Sequence, residues 1–185
     1  KTQSYATDPV AATAAWSSGG ALNTPRSQTA GLGTPSAAMS ASGNTPSATR
    51  DFSETYDGTT WTEGNNLNTA RRAAKGAGST TAGLVVGGLS PPGGVITATE
   101  TYDGTSWSTS PASLTRAGGT AQFAIAGASS TSALIFGGEP GTTYDAYSET
   151  WNGTAWTEGN NLNTGRSQLA GSGIVTAALG AGGYP

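Results

Sequence analysis

The residues with the most chemical reach in this chain are its tryptophans, its arginines and a few carboxylates, and each set recurs at a regular interval. Trp16, Trp61, Trp107 and Trp156 lie 45, 46 and 49 residues apart. Arg26, Arg71, Arg116 and Arg166 follow them by nine or ten residues. Glu54, Glu100 and Glu149 each stand two residues before a Tyr-Asp-Gly or Trp-Asn-Gly turn. An indole face stacks on a sugar ring or fills the space between packed sheets, and a guanidinium binds an external carboxylate or pairs with an internal one. The candidate binding residues are therefore Trp16, Trp61, Trp107, Trp151 and Trp156, with Arg26, Arg71, Arg116 and Arg166. A structural role is favoured for both sets, because the repeat places them alike in every unit. The Trp residues then supply apolar area that Ala and Gly lack. Each Arg pairs with Glu54, Glu100 or Glu149, or donates to loop carbonyls. Trp151, which replaces Tyr56 and Tyr102, is expected nearer the surface.

The missing residue types exclude much chemistry. With no His and no Cys there is no Ser/His/Asp triad, no thiolate nucleophile and no Cys-based zinc site. Asp57-Gly58 and Asp103-Gly104 are similar to fragments of calcium loops, but the alternating acids and distal Glu of such loops are missing. Asn152 fills the same place, as a turn residue would. Paired carboxylates for glycoside hydrolysis would be unique to one unit, whereas these recur. Asn152-Gly153-Thr154 reads as a glycosylation sequon whose turn role already accounts for it. No catalytic residue, metal or cofactor is expected. A net charge of −3, with two Lys and six Arg and no basic stripe, argues against nucleic acid. No apolar run approaches the ~18 residues of a membrane span. The chain begins at Lys1, as a processed protein or a piece of a longer polypeptide would.

The elements that must position these residues follow from the repeat. Trp61-Thr-Glu-Gly-Asn-Asn-Leu-Asn-Thr-Ala-Arg71 returns almost unchanged from Trp156 to Arg166. Gly87-Gly88, Gly137-Gly138 and Gly182-Gly183 close three units, and Ser42-Gly43 stands in the same place in the first. The Asp-Gly and Asn-Gly pairs predict type I′ hairpins joining a third strand (53–56) to a fourth (60–63). Residues 71–79 predict a first strand and 83–86 a second. No segment holds a helical period, and Gly interrupts every candidate. The 185 residues thus read as one all-β domain of four units about 46 residues long. Small residues in the first strands (Ala30 to Gly33, Lys75 to Gly78, Gly118 to Ala121, Ala170 to Gly173) suit strands that crowd an axis.

The order of Arg, apolar strand, Gly pair, Tyr-Asp and Trp resembles the kelch repeat across the whole chain. That resemblance implies a four-bladed β-propeller of four antiparallel strands per blade. The N-terminal strands (residues 1–19) would complete the blade begun at 166–183, so that strands from both termini close the last blade and cover a sheet edge. Some kelch-type propellers are copper oxidases, but those need His and Cys. The Asn-Asn-Leu-Asn-Thr wording is also similar to repeats in tail and fibre proteins of bacterial viruses. A surface rich in Thr, Ser, Asn and Gly, the lack of a cofactor motif and a rigid repeat scaffold point to a non-catalytic structural or adhesive module, part of a virion fibre or another extracellular assembly. The expected partners are other protein subunits, a surface glycan, or further copies in a homo-oligomer. The alternative is a carbohydrate-binding propeller lectin.

Overall fold

The computed structural model describes residues 3–6, 15–116, 122–139 and 144–184, with residues up to 17 described as backbone alone. Among them there is no helix, and so none long and apolar enough to cross a membrane. Three four-stranded antiparallel meanders succeed one another along the chain. The first joins β3 (Ala30–Thr34), β4 (Ala37–Ala41), β5 (Ser53–Tyr56) and β6 (Trp61–Glu63). The second joins β7 (Lys75–Gly78), β8 (Gly83–Val86), β11 (Thr99–Tyr102) and β12 (Trp107–Thr109). A two-stranded ribbon, β9 (Leu89–Ser90) with β10 (Gly94–Val95), is inserted between β8 and β11. The third joins β13 (Ala124–Ser129), β14 (Ser132–Phe136), β15 (Ser148–Trp151) and β16 (Trp156–Glu158). Two hairpins flank this array, β1 (Gln3–Ala6) with β2 (Ala15–Ser18) and β17 (Ala170–Ile174) with β18 (Ala177–Ala181), each a two-stranded sheet.

The sequence expectation is met in detail for β5 and β8. In the second unit the first strand is shorter than the expected 71–79, and the backbone shows why. Ala73 takes a left-handed φ of 57°, and its N–H leaves the ladder to donate to Gln28 O of the preceding unit at 2.9 Å. The extended ladder therefore begins only at Lys75. In the third unit the first strand is β13, and the expected strand at Gly118 to Ala121 lies outside the described residues.

The Asp-Gly turns are not type I′, which needs a positive φ at both central residues. Only the Gly has one: Gly58 at 96°, Gly104 at 99° and Gly153 at 96°. The paired strands end at Tyr56 and Trp61, leaving a four-residue loop. There the Asp57 carboxylate accepts the N–H groups of Thr59 and Thr60, each at 2.8 Å. The side chain takes over from a backbone turn, so Asp57 need not enter the left-handed region. Asp103 and Asn152 repeat the arrangement.

These hydrogen bonds, to Thr60 then Thr59 and to Ser106 then Thr105, hold both aspartates below the ordinary carboxylate range. A depressed folded-state pKa contributes stability above the unfolded value and loses it as pH falls through the folded one. In a proton titration followed by NMR, Asp57 and Asp103 are expected to titrate below the ordinary aspartate of a model peptide. Asp57→Asn should keep the turn, as Asn152 does, while abolishing its acid response. A midpoint at or above the model-peptide value would refute the capping account.

The core lies between the sheets. Ala30, Met39 and Ala41 of the first sheet pack with Val85, Tyr102 and Trp107 of the second, while Leu84 and Val86 of the second pack with Ile135, Trp151 and Trp156 of the third and with Phe123 just before it. A smaller cluster joins Ala124, Ala126 and Phe136 to Leu169, beside the last hairpin. The first strands sit side by side, β3 against β7, β7 against β13 and β13 against β17. Close approach requires Gly at two of these contacts. A Cβ on Gly76 would stand 2.9 Å from Gly31 O, and one on Gly171 would stand 2.5 Å from Ile125 O. Gly31 itself faces open space.

Candidate functional site

The Gly pair is a junction device between units. Both of its residues have positive φ in all four units: Ser42 and Gly43 (62° and 112°), Gly87 and Gly88 (65° and 99°), Gly137 and Gly138 (71° and 121°), and Gly182 and Gly183 (71° and 84°). Its second N–H reaches the next unit's arginine carbonyl, Gly43 to Arg71 O and Gly138 to Arg166 O, both at 2.8 Å. The arginine side chain then turns back into its own sheet.

Two arginines are buried ion-paired plugs. Arg71 Nη2 meets Glu100 Oε1 at 2.5 Å, and Nη1 donates to Ala98 O at 2.9 Å and Gly87 O at 3.3 Å. Glu100 also accepts the N–H groups of Asn68 at 2.7 Å and Thr69 at 3.2 Å. Burial pulls the Arg71 pKa down, and the charge of Glu100 opposes it. Arg26 repeats the scheme, with Nη1 2.7 Å from Glu54 and Nε donating to Ser42 O at 3.1 Å. The side chains of both pairs have no solvent exposure.

Arg116 departs from the expected pairing with Glu149. It stands 3.2 Å from Asp145 and lies over the Tyr147 ring at 5.1 Å, about half exposed. The reason is register. Leu22, Leu67 and Leu162 precede their arginines by four residues, whereas Leu114 precedes Arg116 by two. The Leu N–H is anchored alike in units two to four, to Asp51 O, Thr97 O and Ala146 O. Arg116 therefore arrives two residues early, where Thr69 stands in the second unit. Glu149 is left with the Thr115 N–H at 3.0 Å, and its Oε1 has no hydrogen-bond partner among the described residues. Arg166 donates to Gly182 O at 3.0 Å, with no carboxylate in ion-pair range among the described residues.

The tryptophans divide by burial. Trp107 and Trp156 are each 6 % exposed and stack on Tyr102 and Trp151, with centroids 5.0 and 5.3 Å apart. Trp156 Nε1 donates to Thr99 Oγ1 at 2.8 Å. Trp151 is not near the surface as expected. It is 2 % exposed, because its indole N–H reaches Ser130 O at 2.9 Å under the β13–β14 turn. Trp61 stacks on Tyr56 at 5.0 Å but is only half-buried, lining an open groove of about 690 Å3 with Leu22, Thr29, Met39 and Ser40. The Trp16 side chain lies outside the described residues.

The sequence reading passed over Arg72 and Lys75. The available signal was departure from the repeat: Lys75 stands where β3, β13 and β17 carry Ala30, Ala124 and Ala170. Among the described residues no group of three or more His, Cys, Asp or Glu side chains is placed to hold a metal ion. No protein-family model matches the sequence, and no curated protein matches it at a significant level.

Proposed function

We propose that this chain is a non-catalytic structural or adhesive module, a kelch-type propeller of four blades in a single domain. The observation that carries this reading is where the repeated chemistry goes. Glu54, Glu100 and Glu149 are fully buried and accept backbone N–H groups at the unit junctions, and Trp107, Trp151 and Trp156 are buried between sheets. Groups spent on holding a scaffold together are not free for turnover.

Two features support a closed ring of blades. Residues of all four units line one cavity at the ends of the first strands. The Tyr5–Trp16 register of β1 and β2 repeats the Tyr56–Trp61 register of β5 and β6. In the proposed ring, β1 lies along β18, with Gln3 at the register position that Glu54 holds in β5. Leu179, 66 % exposed, pairs with Ser172 as Met39 pairs with Leu32, and in the ring it fills the groove beside Trp61. The surroundings we assign are an extracellular or virion assembly, on the strength of the tail- and fibre-like repeat wording, with other subunits or further copies as partners.

The second reading, a glycan-binding propeller, is favoured by Trp61 alone, an aromatic in an open groove. A glycan array combined with sedimentation velocity separates the two. The structural module is expected to show no saturable glycan signal and to self-associate or associate with its assembly partners. Saturable glycan binding that disappears in Trp61→Ala, with stability retained, would replace the structural reading with the lectin.

A further inference from the structure

The cavity shared by the four units has a volume of about 620 Å3, within the range of small-molecule sites. Gln28, Ala73, Gln122 and Gln168, one from each unit, form a collar in its wall, with left-handed φ of 55°, 57°, 62° and 57°. The collar is tied across units: Ala73 N–H donates to Gln28 O at 2.9 Å and Gln168 N–H to Gln122 O at 2.8 Å.

Among the described residues only the second unit adds positive charge to this wall. Lys75 takes the ladder position held by Ala30, Ala124 and Ala170. Arg72, which bridges to Leu89, takes the position of Ser27 and Ser167, which bridge to Asn44 and Tyr184. Among the described residues no carboxylate is within ion-pair distance of either, and no Asp or Glu lines the cavity. Arg72 Nη1 donates to Thr49 Oγ1 at 3.3 Å, while its Nε and Nη2 have no protein acceptor there. Burial pulls the Lys75 pKa below the ordinary lysine value, with no opposing charge. An ammonium where the fold otherwise places Ala is costly unless an anion accompanies it.

We propose that the shared cavity binds a small organic anion through its carboxylate or phosphate group, held by Lys75 and Arg72. The carboxamides of Gln28, Gln122 and Gln168 supply neutral donors around it. This proposal is independent of the structural or adhesive role.

The test is calorimetric titration of the whole chain with citrate and, separately, with inorganic phosphate, at constant ionic strength set by chloride. Saturable one-to-one binding of either is expected, citrate alone indicating a carboxylate ligand and phosphate alone a phosphoryl one. Lys75→Ala restores the residue of the other three units, so it should fold, melt higher than the parent in anion-free buffer and bind at least about tenfold more weakly. Lys75→Met, which keeps the length and removes the charge, should lose binding to the same degree. The proposal falls if neither anion saturates, if either variant binds as the parent does, or if Lys75→Ala fails to raise the melting temperature.

Discussion

Replacing Glu100 with Gln is expected to destabilise the protein by about 3–5 kcal/mol, the cost of leaving a buried charge without its partner. Arg71 has no solvent exposure, so no water can take the place of the lost carboxylate. The same carboxylate also accepts the N–H groups of Asn68 and Thr69, so the linker into the second sheet loosens with it. Urea unfolding at neutral pH measures the effect. Arg116→Met is the control, because its guanidinium is half exposed, although Asp145 is buried, and its loss should cost clearly less. If Glu100→Gln behaves like Arg116→Met, the buried pairs are not what fixes the junctions. The double variant Arg71→Met, Glu100→Leu should recover much of the loss, because apolar residues of similar volume carry no desolvation cost.

Trp156→Ala should cost a similar amount, about 3–5 kcal/mol. It opens a cavity between the second and third sheets, removes the partner of Trp151 and leaves the buried Thr99 hydroxyl without its donor. Trp156→Phe should recover most of the packing and still lose about 1 kcal/mol for the hydrogen bond. In the closed ring Leu179 covers the groove beside Trp61, so Trp61→Ala should cost about as much when measured in the same urea series. A clearly smaller loss for Trp61 than for Trp156 would show that the groove stays open in solution and that the ring is not closed there.

What the sequence made legible was whatever repeats without local exception. The strands 53–56 and 83–86, the equivalence of Ser42-Gly43 with the Gly pairs, and the pairing of Arg26 and Arg71 with Glu54 and Glu100 all follow from the period. What escaped was local. Asp57 caps its own loop through its side chain, so an Asp-Gly dipeptide did not give the hairpin it usually signals. The short Leu114–Arg116 spacing moved one arginine out of its junction, although counting from Trp107 hid the shift. Trp151 was misjudged because a substitution on one strand was read without the turn that covers it. Lys75 and Arg72 are not legible from the period, because they depart from the residues that recur at their positions.

The bonds from Gly43 to Arg71 O and from Gly138 to Arg166 O have a donor in one unit and an acceptor in the next. The first and third units therefore leave a backbone donor unpaired in isolation, and each is completed when its successor docks. Coupling of this kind makes the folded chain behave like a row of linked spins, in which a boundary between ordered and disordered units carries its own free-energy cost. Swapping or shuffling whole units would keep that coupling intact provided the Gly pair and the arginine stay in step. A cut between them would break the row at that point even though every strand on either side remained.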